Sequence, residues 1–207
     1  MSQFFEIHPE NPQARLIQQS VQIIRSGGVV VYPTDSGYAI GCQIGDKAAA
    51  ERICGIRDIN KEHNFTLVCR DLSELSTYAR VDNNAFRLLK NNTPGPYTFI
   101  LKGTKEVPKR LLNPKRKTIG IRVPTNRIAM ALLEELNEPL MSTSLILGEG
   151  IAAESDPEEI RDKLEKRVDL IIDGRHKGEE PTTVVDLSEG APTIRREGSG
   201  DTKPFEF

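Results

Sequence analysis

The chain has 207 residues, of which 37% are hydrophobic and 28% are charged, and its formal net charge is −2. This length predicts one domain over residues 1–207 with a sizeable core. No apolar run approaches the roughly 20 residues of a membrane-spanning helix, and the first residues lack the basic and apolar regions of a secretory signal. These features exclude an integral membrane protein and favour a cytoplasmic one.

Helical patterns recur along the chain. We predict a first helix with Asn11 as its N-cap, Pro12 as its first residue and the Gly27-Gly28 pair as its end. Further helices are expected over 71–78 and 83–90, and directly after three capping residues, Asp46, Asn126 and Asp156.

Strand patterns alternate with these helices. Apolar or alternating runs predict strands over 29–33, 65–69, 97–101, 118–123, 140–145, 169–173, 183–187 and 192–196. Because strands and helices interleave without the count or spacing of eight βα units, the sequence predicts an α/β fold with a mixed, twisted open sheet rather than a barrel.

The sulfur and imidazole side chains predict neither a disulfide framework nor a metal centre. The number of cysteines is odd, no two are spaced as CxxC, and the three histidines form no HxH or HxxxH pair. A reducing compartment is therefore expected for the three thiols, Cys42, Cys54 and Cys69.

Charge is segregated along the chain. Residues 102–127 contain nine basic residues and one acid, whereas residues 134–166 contain ten acids and three bases. This asymmetry indicates either an anionic ligand near the middle of the chain or a solvated basic loop. P-loop, GxGxxG and GxSxG motifs are absent, so the common phosphate-binding loops and the nucleophile elbow are excluded.

Polar residues follow the ends of several predicted strands. Thr34 and Asp35 come directly after the strand at 29–33, where ligands of open α/β sheets bind, although a proline turn would explain them equally well. Arg122 lies within an apolar strand, so its charge is either paired or faces a wet site. The hydroxyl side chains at 142–144 either hold a phosphate or carboxylate or cap neighbouring backbone.

The order and spacing of these segments resemble the YrdC/YciO family, which includes the threonylcarbamoyl-AMP synthases of tRNA modification. The resemblance covers about residues 15–198, and the segments that carry it are YPTDSGYAIGC, PGPYTFIL, IGIRVPTN, PLMSTS, PTTVVDL and TIRREG. The opening SQFFEIHPENPQ and the stretch EHNFTLVCRDLSELSTYA look like the YciO branch of that family.

The resemblance implies a YrdC-like α/β fold whose helices pack around a large basic cavity. It also implies a reaction in which threonine, bicarbonate and ATP, with Mg²⁺ as part of the substrate complex, yield threonylcarbamoyl-AMP and pyrophosphate for modification of adenosine 37 in tRNA. Such a reaction depends on alignment and on stabilising the leaving group. No side-chain nucleophile, resident metal or tightly bound cofactor is therefore expected.

Site residues follow from the matched motifs. The resemblance implies that Thr34, Thr98 and Thr183 bind the threonine substrate. It implies a second group that binds the nucleotide and its phosphates, namely Arg57, Lys61, Arg122, Ser142, Ser144 and Arg196.

Three departures from the synthase pattern leave the activity open. Ile59 stands where a KxRP signature has its arginine, Ile146 replaces the asparagine of SxSAN, and Glu197 stands in the closing RPG. A phosphate contact is lost unless Lys61 or His63 replaces it. The alternatives are therefore a synthase that is weak or altered in substrate, a protein that binds double-stranded RNA or tRNA through its basic concave face, and a nucleotide-binding regulator without turnover.

Overall fold

The protein was analysed as a computed structural model that describes residues 1–60, 63–150, 152–175, 178 and 180–207. The strands of the described residues are β1 (Gln3–Glu6), β2 (Val30–Thr34), β3 (Gly37–Gln43), β4 (Thr66–Val68), β5 (Tyr97–Lys102), β6 (Thr118–Arg122), β7 (Leu140–Ser144), β8 (Leu170–Asp173), β9 (Thr183–Asp186) and β10 (Thr193–Arg196). The helices are α1 (Ala14–Arg25), α2 (Lys47–Arg57), α3 (Leu72–Tyr78), α4 (Asn83–Asn92), α5 (Arg127–Leu136) and α6 (Pro157–Leu164).

These strands pair into one sheet in the order β1-β8-β2-β3-β7-β4-β6-β5-β9-β10. The pairs β1–β8, β2–β8, β4–β6 and β5–β9 are parallel, whereas the remaining neighbours are antiparallel. The sheet has two free edges, β1 and β10, so it is open. This confirms the predicted α/β fold with a mixed, twisted open sheet.

Three of the predicted helix caps are confirmed. The side chains of Asp46, Asn126 and Asp156 each accept hydrogen bonds from backbone N–H groups in the first turn of α2, α5 and α6. Each cap satisfies donors that the helix itself leaves unpaired.

The predicted start of the first helix is wrong. Helix α1 begins at Ala14 with Gln13 as its N-cap, because Asn11 belongs to a preceding turn. In that turn the His8 Nδ1 atom accepts hydrogen bonds from the N–H groups of Glu10 and Asn11. The predicted end is confirmed, since the chain leaves α1 through Gly27, whose φ of +85° favours glycine.

Two strands escaped the sequence analysis. Strand β1 has four residues at the edge of the sheet, too few to show a period. Strand β3 follows a proline turn and contains glycines that read as a continued loop, yet it pairs with both β2 and β7. At Gly41 an added Cβ would lie 3.1 Å from the Met141 carbonyl oxygen, so the glycine allows the close approach of two strands.

Two apolar cores lie on opposite faces of the sheet. Helices α2, α3, α4 and α6 contribute to one core, and α1 and α5 contribute to the other. On the second face, residues of β2, β8 and β3 pack beneath α1 and α5 as far as Val68 on β4. Beyond Val68 the same face carries Gly120 and the polar side chains of Thr66 and Thr98, which line two adjoining cavities.

The cysteine side chains and the lengths of the helices can be read directly from the structure. Cys42, Cys54 and Cys69 are all buried, and none forms a disulfide in the described part of the chain. None of the helices described is long and apolar enough to cross a bilayer.

Candidate functional site

A cavity of about 250 Å³ opens on the sheet face that helices α1 and α5 leave uncovered. Its described wall contains no carboxylate, but it contains three arginines, Arg57, Arg122 and Arg196, and the imidazole of His63. Six hydroxyl side chains complete its polar surface: Thr66, Thr98, Ser142, Thr143, Ser144 and Thr182. A wall of this composition attracts anions.

The arginines come from three separate parts of the fold. Arg57 is the last residue of α2, Arg122 ends the central strand β6, and Arg196 ends the edge strand β10. Within the described residues none of the three has a carboxylate oxygen within 4.0 Å, in contrast to Arg116, which pairs with Asp186 at 2.8 Å. The fold therefore gathers three cations for which the described part of the chain supplies no carboxylate within ion-pair distance.

Arg122 is the most buried of these cations. Its side chain is 8% exposed, its single hydrogen bond is a 3.4 Å contact from Nη2 to the Ser36 hydroxyl, and its Nε has no partner among the described atoms. Burial lowers the pKa of the guanidinium below its ordinary value, although Asp35 opposes this effect. The carboxylate of Asp35 accepts hydrogen bonds from Thr125 and Asn126 instead.

The other two arginines bind backbone carbonyl groups. Arg57 donates from Nη1 to the Ile146 oxygen at 2.8 Å, its buried Nε lacks a partner in the described structure, and burial lowers its pKa. Arg196 is more exposed and donates from Nε and Nη2 to the Thr182 oxygen at 3.1 and 2.9 Å. These bonds orient both guanidinium groups but do not neutralise their charge.

The hydroxyl groups of the cavity differ in whether they already form hydrogen bonds within the protein. Ser142 accepts a hydrogen bond from the buried Tyr32 hydroxyl at 2.7 Å, and Thr98 and Thr182 lie 2.8 Å apart. Ser144 is exposed at the end of β7. Ser144 is therefore better placed than Ser142 to bind a ligand with its side chain.

A second cavity of about 200 Å³ adjoins the first. The two share Asn64, Thr66, Thr98 and Val184, and the second extends along β6 towards Arg116. The described residues contain no cluster of three or more His, Cys, Asp or Glu side chains that could hold a metal ion.

The structure brings together most of the residues assigned from the sequence. Arg57, Thr98, Arg122, Ser142, Ser144 and Arg196 all line the first cavity. Lys61 lies outside the described residues.

Thr34 and Thr183 do not line this cavity. The Thr34 hydroxyl donates to the Gly37 oxygen at 2.7 Å and accepts from the Ser36 N–H group, so it shapes the turn between β2 and β3. The fully buried Thr183 donates to the Gly200 oxygen at 2.6 Å. The neighbouring Thr182 reaches the cavity in its place, and a strict alternation of faces from Val184 backwards would have indicated it.

Sequence reasoning missed Asn64 and Thr66, whereas Thr143, one of the three hydroxyl residues singled out at 142–144, lines the cavity. Strand alternation offered a signal for Thr66, which shares its face with Val68, whereas nothing in the sequence distinguished Asn64.

The basic side chains of segment 102–127 lie in different parts of the structure. Arg122 enters the cavity, Arg116 pairs with the buried Asp186, and Arg127 pairs with Glu10 at 3.4 Å. Burial opposes ionisation of Asp186, but hydrogen bonds from Ser188 and from two arginines hold its pKa below the ordinary range. The excess of positive charge in this segment therefore serves several local purposes.

Comparison with known proteins identifies the family. The model of the Sua5/YciO/YrdC family, described as "Telomere recombination", matches residues 22–198. The chain belongs to the Sua5/YciO/YrdC family.

The chain is similar both to a protein named YciO and to threonylcarbamoyl-AMP synthases. The "Uncharacterized protein YciO" of Escherichia coli K12 is 69% identical over 99% of this chain and all of its own length, and its crystal structure superposes with a TM-score of 0.95. The threonylcarbamoyl-AMP synthase of Chromobacterium violaceum is 31% identical over 88% of this chain and 94% of its own length.

The fold extends to a more distant member. The structure of P. abyssi Sua5 complexed with L-threonine is 24% identical, with a TM-score of 0.85 over 94% of this chain and 57% of the other. This similarity shows that the two chains share a fold.

Proposed function

We propose that this protein binds ATP through its phosphates in the arginine-lined cavity and forms threonylcarbamoyl-AMP and pyrophosphate from ATP, threonine and bicarbonate. The product would serve tRNA adenosine-37 modification. Membership of the family and the 31% identity to a threonylcarbamoyl-AMP synthase support this reaction class. Mg²⁺ would enter as part of the substrate complex with ATP.

The single observation that carries the proposal is the state of Arg122. A buried guanidinium that has no carboxylate within ion-pair distance among the described residues is costly, and it persists in a fold when a ligand supplies the missing negative charge. The planar guanidinium donates two parallel hydrogen bonds to a phosphate or carboxylate, which matches the phosphates of ATP and the carboxylate of threonine.

The proposed chemistry needs few side chains. A carbamate oxygen of N-carboxythreonine attacks the α-phosphorus, the bond from that phosphorus to the bridging oxygen breaks, and pyrophosphate leaves with the electron pair. Arg57, Arg122 and Arg196 would neutralise charge on the transferred and departing phosphates, and the exposed Ser144 would donate a hydrogen bond. The cavity contributes alignment and electrostatics, and no covalent intermediate with the protein is required.

A nucleotide-binding regulator without turnover is the second candidate. Ile59, which stands at the position of the missing arginine, packs against the apolar core instead of facing the cavity. Ile146 occupies the cavity wall and its carbonyl oxygen holds Arg57. The site therefore has fewer donors than the synthase pattern, which lowers the rate of pyrophosphate departure more than it lowers binding.

Binding of double-stranded RNA or tRNA has weaker support. The paired guanidinium groups of Arg116 and Arg127 reduce the positive charge that the basic segment offers to a phosphate backbone.

Pyrophosphate release separates these functions. Purified protein is incubated with ATP and Mg²⁺, with and without threonine and bicarbonate, beside the variant Arg122→Met and the control Arg127→Met, which changes an exposed arginine outside the cavity. Release that requires both threonine and bicarbonate and disappears in Arg122→Met supports the synthase. ATP binding without release supports the regulator, and the absence of ATP binding refutes both.

A further inference from the structure

His63 places a titratable ring in the wall of the arginine-lined cavity. Its Nε2 lies 3.0 Å from the Thr143 hydroxyl, and its ring packs edge-on against Phe65 with the centroids 5.7 Å apart. These two contacts hold the imidazole at the cavity surface, where Asn64 also lines the wall.

The second ring nitrogen of His63 is not involved in these two contacts. Within the described structure, Nδ1 of His63 makes no hydrogen bond, whereas Nδ1 of His8 accepts two from its own turn. A protonated imidazole carries an N–H on both nitrogens, so His63 can donate to Thr143 and to a bound ligand at the same time.

In the absence of a bound anion, the surroundings of His63 disfavour protonation of its imidazole ring. Burial, followed by the positive charge of Arg57, lowers the pKa of the imidazole below its ordinary value. The other charged groups in the described wall are Arg122 from β6 and Arg196 from β10, while β7 contributes hydroxyl groups. Lys61 and Glu62, which precede it in the chain, lie outside the described residues.

A phosphate in the cavity reverses this balance. Its negative charge screens His63 from the arginines and favours the protonated ring, because an opposite charge within about 4–6 Å stabilises the ionised form. The fold moreover lacks the arginine expected at Ile59, so a further cation in this wall would replace a missing donor.

We propose that His63 takes up one proton from solvent when the phosphates of ATP bind, and donates a hydrogen bond to them as the fourth cation of the cavity. The inference rests on the proposed binding of ATP. It predicts that the affinity for ATP depends on pH through the ionisation of His63. His63 is then a ligand-binding residue, although a count of the charged groups in the unliganded cavity would not include it.

The expected effect follows from the coupling between protonation of His63 and binding of ATP. Wild-type protein binds ATP more tightly as the pH falls from 8.5 to 5.5, because the proton is then available at lower cost. A hydrogen bond to a charged group is worth about tenfold or more in affinity, so His63→Gln is expected to bind about tenfold more weakly than wild type at pH 5.5. At pH 8.5 the two are expected to agree within about threefold.

Calorimetric titration with ATP across this pH range tests the inference. The ratio of the two dissociation constants is the measured quantity, since the titration of ATP itself affects both proteins equally and cancels. Glutamine retains a donor for Thr143, and His8→Gln, at an exposed turn far along the chain from the cavity residues, is the matched control. Titrations in two buffers of different ionisation enthalpy measure proton uptake, which is expected to be smaller in His63→Gln.

A permanently charged variant provides an independent arm. His63→Lys is expected to bind ATP at every pH about as tightly as wild type binds it at pH 5.5. A ratio that stays constant with pH, equal proton uptake in wild type and His63→Gln, or an equal loss in His8→Gln overturns the inference while the proposed function stands. Failure of wild type to bind ATP at any pH overturns the proposed function and this inference together.

Discussion

Replacing Arg122 by methionine separates a ligand-binding role from a structural one. Methionine keeps most of the length of the side chain and removes the guanidinium, so packing in β6 is largely retained. Without ligand, the guanidinium has one 3.4 Å hydrogen bond to Ser36 and an unpartnered buried Nε among the described atoms. A structural arginine would instead have close, multiple partners, as Arg116 has in Asp186 and Ser188.

The magnitude follows from those contacts. An unsatisfied buried donor costs about 1–3 kcal/mol, and the long bond to Ser36 is worth at most about 1 kcal/mol. Arg122→Met is therefore expected to raise the free energy of unfolding by about 1 kcal/mol. For a chain of this size that corresponds to a rise in Tm of about 2–4 °C. The loss of a charged contact to phosphate is expected to weaken ATP binding by about ten- to a hundred-fold.

Two measurements on the same samples test this prediction. Thermal unfolding followed by circular dichroism gives Tm without ligand, and calorimetric titration gives the affinity for ATP. The control variant Arg116→Met is expected to lower Tm, because the buried Asp186 then loses a donor. Its affinity for ATP is expected to remain closer to that of wild type.

The opposite pattern would refute the reasoning. If Arg122→Met unfolds several degrees below wild type and still binds ATP with unchanged affinity, Arg122 stabilises the fold and does not bind phosphate. The observation that carries the proposed function would then be lost.

Three further predictions concern the fold and its titrating groups. Met141→Ala, at a fully buried position of strand β7, is expected to lower the free energy of unfolding by about 2–5 kcal/mol in urea denaturation, and a loss below 1 kcal/mol would contradict the described core. Because burial raises the pKa of the Cys42 thiol to about 12, and also raises the pKa of Cys69, neither is expected to react with iodoacetamide at pH 8 before the protein unfolds; rapid labelling of the native protein would show otherwise. Because burial lowers the pKa of His63 in the folded protein, the unfolded chain binds more protons below pH 6.5, so wild type is expected to lose more stability than His63→Gln between pH 7.5 and 5.5. Equal losses in urea titrations at the two pH values would contradict the burial of this ring.

Local signals in the sequence were sufficient for most helices and strands. Asp46, Asn126 and Asp156 cap helices through hydrogen bonds to residues two or three positions away, so their effect needs no distant partner. At the first helix the same reasoning failed, because Asn11 lies in a turn in which its N–H donates to His8, and the helix begins only at Ala14.

Strand β3 is an element that local sequence signals did not predict. Its glycines predict a loop when taken alone, but Gly41 lies so close to β7 that a Cβ there would make a tight contact, 3.1 Å from the Met141 oxygen. The partner strand comes a hundred residues later in the chain, so only the folded sheet explains the glycine.

The candidate site likewise combines features that the sequence predicts with features that only the folded structure explains. The residue types of the site can be read from the sequence, where an arginine within an apolar strand already requires an explanation. Of the consecutive residues Thr182 and Thr183, the first lines the cavity and the second is buried, which follows from the alternation of faces in the chain leading into β9. Arg57, Arg122 and Arg196 converge on one cavity, whose described wall has no carboxylate, only through the tertiary structure, because α2, β6 and β10 meet when the sheet has formed.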